Sequence, residues 1–244
     1  MLILHSVMNK LIFAGIFLIS TSTLKARHDK MIGSWVIHNV EYEFAKNFVG
    51  YLELQARSQK MLHHFFYSEI KGGVSYRINK NFSVFTGFGN YRTYQWDDLD
   101  EGVRTNELRL WEQFVISQPL GRLKFEHRFR AEQAWLNKVY RNRFRYRINL
   151  IIPLNKRKVE KNTVFLSVFN ELFLTDKAPY FMRNRIYGGV GYQITDYLTV
   201  QTGWVYQFNY TLKSANGKNN ILLGVNFRFL RKDNKHEKIP SMRD

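Results

Sequence analysis

The feature that most constrains this chain is a period-two alternation of apolar and polar side chains running almost unbroken from Gly33 to Leu230. Ile221, Leu223, Val225, Phe227 and Phe229 take one face of such a stretch, and Asn220, Gly224, Asn226 and Arg228 take the other. The same split separates Leu198, Val200, Thr202, Trp204, Tyr206, Phe208 and Tyr210 from Thr199, Gln201, Gly203, Gln207 and Asn209. Successive side chains of an extended chain point to opposite faces, so the pattern selects strands, and no stripe of helical spacing competes with it. It predicts strands over 33–45, 48–59, 65–78, 82–94, 105–117, 121–135, 140–153, 163–175, 183–194, 197–211 and 218–230. Most exceed the usual globular strand of about 5–6 residues and suit the roughly 9–11 that a tilted strand needs to cross a bilayer.

Composition narrows the class further. Aromatic residues make up 16% of the 244, too many for a disordered chain, which lacks the bulky apolar groups that offset ordering entropy. With no cysteine, a disulfide scaffold, a thiolate metal site and a cysteine nucleophile are all excluded. A mean hydropathy of −0.37 leaves no room for a bundle of membrane helices. It does permit a membrane β-barrel, in which every second residue faces away from lipid.

The start of the chain reads as an export signal over residues 1–26. Asn9 and Lys10 precede an apolar run from Leu11 to Ile19, then Ser20 to Thr23 and Ala26, and the run is too short to anchor in a bilayer. Cleavage near Ala26 removes Lys10 and Lys25 and no acids, so the formal charge of +17 belongs mainly to the exported body, 27–230. The charged tail, 231–244, is expected to be disordered in the periplasm.

Connections give a second signal. Turn residues are concentrated at Lys46-Asn47, Asn79 to Asn81, Pro119 to Gly121 and Thr195-Asp196, and longer polar stretches at Gln95 to Thr105, Asp176 to Asn184 and Lys213 to Asn219. Short turns on one rim and long loops on the other is the layout of an outer-membrane barrel. The segments Tyr42 to Phe48, Tyr76 to Phe82 and Tyr192 to Leu198 repeat one aromatic-flanked turn, placing rings where an interfacial girdle would sit. The expected fold is therefore all-β: a transmembrane antiparallel up-and-down β-barrel with short periplasmic turns and longer extracellular loops. Eleven stretches are visible, but even numbers are the rule for bacterial barrels, so the expected count is 10 or 12, with a missed strand between Arg27 and Gly33 as one way to reach it.

The unusual chemistry lies on the polar face. Lys124, Glu126, Arg128, Arg130 and Glu132 alternate with Leu123, Phe125, His127, Phe129 and Ala131, and Arg141, Arg143, Arg145 and Arg147 alternate with Asn142, Phe144, Tyr146 and Ile148. If the apolar rows face lipid, the charged rows line the lumen, since an arginine at the bilayer midplane costs about 2–4 kcal/mol on the lipid side. Guanidinium cannot shed its proton, so the basic excess needs compensation. Glu107, Glu112 and Glu171 are the candidate acids, and Arg109, Arg183 and Arg185 extend the basic set. Strict alternation from Leu108 and Leu110 aims Glu112 outward, and a β-bulge near Trp111 would turn it in. Two readings follow: a plug of ion pairs filling the lumen, or an anion site in which guanidiniums grip phosphate or carboxylate.

A family resemblance follows from these segments. Asn106 to Gln113, Leu120 to Gln133, Tyr140 to Arg147, Asn170-Glu171 and Ala178-Pro179-Tyr180-Phe181 ahead of Arg183-Asn184-Arg185 resemble the bacterial family called domain of unknown function 2490, over about Gly33 to Leu230. The resemblance implies a secreted, predicted outer-membrane barrel, frequent in Bacteroidetes-type Gram-negative bacteria, with no established activity and no catalytic residues to carry over. The charged tail after Phe229 departs from the usual barrel ending.

The functional expectation is an outer-membrane protein in a structural or envelope-maintenance role, with an Arg/Glu-filled lumen in contact with anionic ligands. Expected partners are outer-membrane lipid and lipopolysaccharide, with the barrel-assembly machinery during insertion. The expected state is a monomer without cofactor, metal or nucleic acid. Alternatives are an outer-membrane enzyme acting on lipid, a narrow anion-preferring pore and a soluble lipocalin-like binding barrel, the last suggested by Gly33 and Trp35. A hydrolase needs a nucleophile, base and orienting group within reach. His127 falls on the apolar face, His63 and His64 sit beside a turn, Ser167 lacks a recognisable signature, and Asp97, Asp98, Asp100 and Glu101 read as a solvated loop.

Overall fold

The computed structural model describes residues 27–28, 31–95 and 101–231, so the export signal and all but the first residue of the tail lie outside the described residues. After a two-residue strand, β1 (Arg27–His28), the chain forms β2 (Gly33–Ala45), β3 (Phe48–Lys60), β4 (His63–Arg77), β5 (Phe82–Tyr94) and β6 (Val103–Leu120). It continues through β7 (Leu123–Leu136), β8 (Val139–Pro153), β9 (Thr163–Thr175), β10 (Phe181–Gln193), β11 (Leu198–Tyr210) and β12 (Ala215–Phe229). Each pairs antiparallel with its successor from β2 onward, and no helix occurs among the described residues.

The wall closes where β12 pairs in parallel with β2, from Asn220 opposite Gly33 to Phe229 opposite Tyr42. β1 pairs in parallel with the same strand at Asn216 and Gly217, extending the β2 edge and adding no wall strand. The barrel thus has eleven strands, which corrects the expected 10 or 12. The even count presumes antiparallel closure. With an odd number the first and last strands run the same way, and an evenly spaced, slanted parallel ladder satisfies both edges.

Two rims result. The first carries the connections 46–47, 78–81, 121–122, 154–162 and 194–197; the second carries 61–62, 95–102, 137–138, 176–180 and 211–214. The expected contrast of short and long connections is not clean. The stretch 154–162 is as long as any and lies on the first rim, while the second includes two-residue turns at 61–62 and 137–138. At Asn137 and Lys138 both φ angles are positive, 46° and 74°, the conformation that lets a two-residue turn match strand twist.

The alternation places the charged rows inside and the greasy rows outside. Arg128 and Arg147 are 1% exposed, whereas Leu108 and Phe129 are 52% and 46% exposed. Part of the interior is apolar: Trp35, Ile37, Phe169, Tyr187, Val205 and Leu222 form one cluster and Tyr51, Phe85 and Trp111 another. Val159, from the long first-rim connection, joins Ile151 and Phe165. Gly189 lies opposite Gly203 across β10 and β11, and a Cβ on Gly189 would fall 2.2 Å from the Tyr187 hydroxyl. Glycine there lets the tyrosine ring lie across the backbone inside the barrel.

Candidate functional site

The charged side chains meet because hairpin register sets them side by side. β7 and β8 pair Arg128 with Arg147, Arg130 with Arg145 and Glu132 with Arg143, and β8 and β9 pair Arg147 with Glu171. Like charges directly opposite repel, so these rows hold only because acids sit between them. Glu132 accepts from Arg143 Nε at 2.6 Å, from Arg145 Nη1 at 2.8 Å and from Arg130 Nη1 at 3.4 Å. Glu171, fully buried, accepts from Arg145 Nε at 2.9 Å and from Arg128, with Arg185 at 3.8 Å. Arg147 reaches Glu126 at 3.5 Å. Nearer the second rim, Glu107 accepts from Arg109 at 2.5 Å and from Arg141 at 2.9 Å.

Aromatic faces hold the same guanidiniums from another side. Arg109 lies 3.7 Å from the Tyr91 ring centre, Arg145 4.4 Å from Phe173, and Arg185 4.8 Å from both Trp35 and Phe173. Desolvated cation–π contacts of this kind contribute about 2 kcal/mol each. Arginine suits the role better than lysine, since its planar group stacks and forks at once.

Of the residues expected in the lumen, all but one face it. Lys124 and Arg141 stand toward opposite ends, Glu126 to Glu132 and Arg143 to Arg147 form the middle, and Glu107, Arg109, Glu171, Arg183 and Arg185 join from neighbouring strands. Glu112 does not. The ladders through Thr86, Glu112 and Ala131 run without a bulge, leaving its carboxylate on the outer face, where Gln133 Nε2 donates to it at 3.2 Å. That corrects the expected inward turn: the acids already inside leave nothing to force a break in the ladder.

A second buried network lies outside the set of residues that the sequence singles out. Lys71 bridges Glu53 at 2.6 Å and Glu69 at 2.7 Å, Arg57 stands 3.6 Å from Glu69, and Tyr51 and Tyr67 donate to Glu53 and Glu69 respectively. Alternation marks these residues too, since Glu53 lies between Leu52 and Leu54 and Lys71 follows Ile70. Near the first rim, Arg228 pairs with Glu41 at 2.7 Å and Arg77 with Glu43 at 3.4 Å.

Together these pairs divide the bore. A cavity of about 390 Å³ opens at the first rim, lined by Glu41, Arg77, Lys124, Glu126 and Arg228. Another of about 290 Å³ opens at the second, lined by Arg109, Arg141, Arg143, Arg183 and Gln207. Arg128, Arg145, Glu132 and Glu171 link up between them. Ser167 faces the lumen and donates to Asn149 at 3.1 Å, while His127 is on the outside against the Tyr146 hydroxyl at 2.9 Å. Those two groups stand on opposite faces of the wall and cannot act as nucleophile and base.

Fold and site define a class: a closed, all-β, eleven-stranded barrel with an arginine- and glutamate-filled interior. The chain belongs to the family described as protein of unknown function (DUF2490), whose model matches residues 32–219. No curated protein and no solved structure matches it.

Proposed function

We propose that this protein is an outer-membrane barrel of the bacterial envelope, with a structural or envelope-maintenance role and a bore closed at mid-height by ion pairs. One observation carries the reading. Leu110, Phe144, Val168, Leu172, Ile186 and Val190 are exposed around the outer wall while Arg128, Arg143 and Arg147 are buried. In water that arrangement leaves an apolar band far above the few hundred Å² a soluble monomer exposes. In a bilayer it places each group where its transfer free energy is favourable.

Rings at both ends of the wall support the same reading. Toward the first rim Tyr42, Phe44, Phe48, Tyr76, Tyr197 and Phe229 are exposed, with Phe48 and Tyr76 4.8 Å apart and Tyr197 and Phe229 5.9 Å apart. Toward the second, Trp135 and Tyr140 lie 5.5 Å apart. Aromatic girdles of this kind sit at lipid headgroups. The first rim would face the periplasm, and the protein would insert through the barrel-assembly machinery after export and sit as a monomer among lipid and lipopolysaccharide.

The test is envelope fractionation followed by electrophoresis of unheated and boiled samples. A protein in the outer-membrane fraction whose mobility changes on boiling supports the proposal. A protein released by osmotic shock, with one mobility in both samples, overturns it.

A further inference from the structure

Among the described residues, Arg183 is the one guanidinium of the second-rim cavity with no acid beside it. Its Nε donates to Asn209 Oδ1 at 2.6 Å and its plane stands 5.5 Å from the Phe173 ring centre. Among the described residues no carboxylate approaches it within 4.0 Å, although Arg185, Arg143, Arg57 and Arg109 all act on it with like charge. The other acids are already shared: Arg109 and Arg141 divide Glu107, and Arg143, Arg145 and Arg130 divide Glu132. The carboxylate of the connection 176–180, Asp176, turns away and accepts from Asn142 at 2.8 Å, a hydrogen bond that holds it below the usual carboxylate range.

A surplus of fixed positive charge in an enclosed space is costly unless an anion meets it. The first-rim cavity makes the comparison, since there Arg228, Arg77 and Arg147 each have a glutamate. A dianion answers the second-rim surplus better than a carboxylate does, and guanidinium forks match phosphate oxygens in pairs. The volume, about 290 Å³, is at the small end of small-molecule pockets and too small for a polymer.

We propose that the second-rim cavity binds a phosphate monoester, gripped by Arg183 with Arg109, Arg141 and Arg143. The inference rests on the closed barrel of the proposed function and not on the membrane around it. The phosphate could arrive on a soluble ester or on a lipid headgroup.

Calorimetric titration of the detergent-folded, full-length barrel with glycerol 3-phosphate tests the site. Saturable binding is expected, weakened at least tenfold by Arg183→Gln, because a charge-assisted hydrogen bond contributes enough for about that factor or more. Lys80→Gln, at the opposite rim, is expected to leave it unchanged. If Arg183→Gln does not fold, phenylglyoxal modification of the wild-type barrel replaces it, with glycerol 3-phosphate expected to protect the Arg183 peptide. Repeating the titration in phosphatidylcholine nanodiscs with and without phosphatidic acid separates the sources. Competition by phosphatidic acid supports the site with a lipid occupant, and no competition supports it with a soluble one. Absence of saturable binding, equal affinity for acetate, or binding indifferent to Arg183 overturns the proposal. A heat-modifiable barrel that fails to bind removes this site alone, and a soluble chain that binds through Arg183 removes the membrane alone.

Discussion

Arg145 and Glu171 meet diagonally across β8 and β9, where Nε donates to one carboxylate oxygen at 2.9 Å and Nη2 stands 2.8 Å from the same oxygen as an ion pair. Arg145 also reaches Glu132 on the other side, so one guanidinium ties two acids on different strands into a single layer. Such a layer is worth little as an average of attraction and desolvation, but removing one member exposes the full cost of the rest.

Glu171→Gln therefore has a large predicted effect. Arg128, Arg145 and Arg185 would all lose the acid they share, inside a wall where water cannot replace it. Loss of stability by about 3–5 kcal/mol or more is expected. Urea unfolding in micelles, followed by the unheated gel band, measures it. Glu107→Gln should cost less, because Arg141 is a third exposed and can be solvated.

The outer wall gives a prediction that depends on its solvent. Leu110 lies near the middle of β6 and is 42% exposed, so Leu110→Arg puts a charge on the band without disturbing the interior. In lipid the substitution costs about 2–4 kcal/mol, and in water close to nothing. Glu112→Leu, two residues on, should act in the opposite direction and stabilise the barrel in lipid, since it removes an outward carboxylate held, among the described residues, by Gln133 alone. Both are read from unfolding free energies in phosphatidylcholine vesicles. No cost for the arginine would contradict the membrane assignment.

These substitutions also show where the sequence is legible. Period two fixes which side chains share a face, so the strands and nearly the whole Arg/Glu lining can be found from Phe125, Phe129 and Phe144 against Arg128, Arg130 and Arg143. The pairing of Arg145 with Glu171 needs the register of two hairpins, which turns set and composition does not. Closure of β12 on β2 joins Asn220 to Gly33, residues far apart in the chain, and leaves no local mark. The parity rule therefore misled where the alternation itself, with eleven stretches, did not. Glu112 follows the alternation outward, because the bulge expected near Trp111 does not form. That Arg183 has no acid beside it among the described residues emerges only once Glu107, Glu132 and Glu171 have been paired with other guanidiniums.

Conduction follows from the same layer. With Arg128, Arg145, Glu132 and Glu171 linked along β7, β8 and β9, and Arg185 reaching from Glu171 to the Trp35 ring on β2, purified barrel in planar bilayers should show no stable single-channel steps. Shortening two members at once, as in Arg145→Ala with Glu171→Ala, removes a cation with an acid and should open a narrow path if the fold survives. Anion-selective steps from the unmodified protein would show that the layer is not closed.

The glycines allow the most local test of the interior. Gly188 and Gly189 are adjacent and face opposite ways: a Cβ on Gly188 meets nothing within 4 Å, while one on Gly189 meets the Tyr187 hydroxyl at 2.2 Å and the Thr202 carbonyl at 2.5 Å. The carbonyl belongs to the partner strand and cannot swing aside as a side chain could, so the clash must be relieved by moving backbone. Gly189→Ala is expected to destabilise by about 1–3 kcal/mol, the usual cost of overpacking a well-filled core. Gly188→Ala should be neutral or slightly stabilising, because alanine loses less backbone entropy on folding. Measured side by side in micelles, equal effects at the two positions would mean that Tyr187 does not lie across the strand.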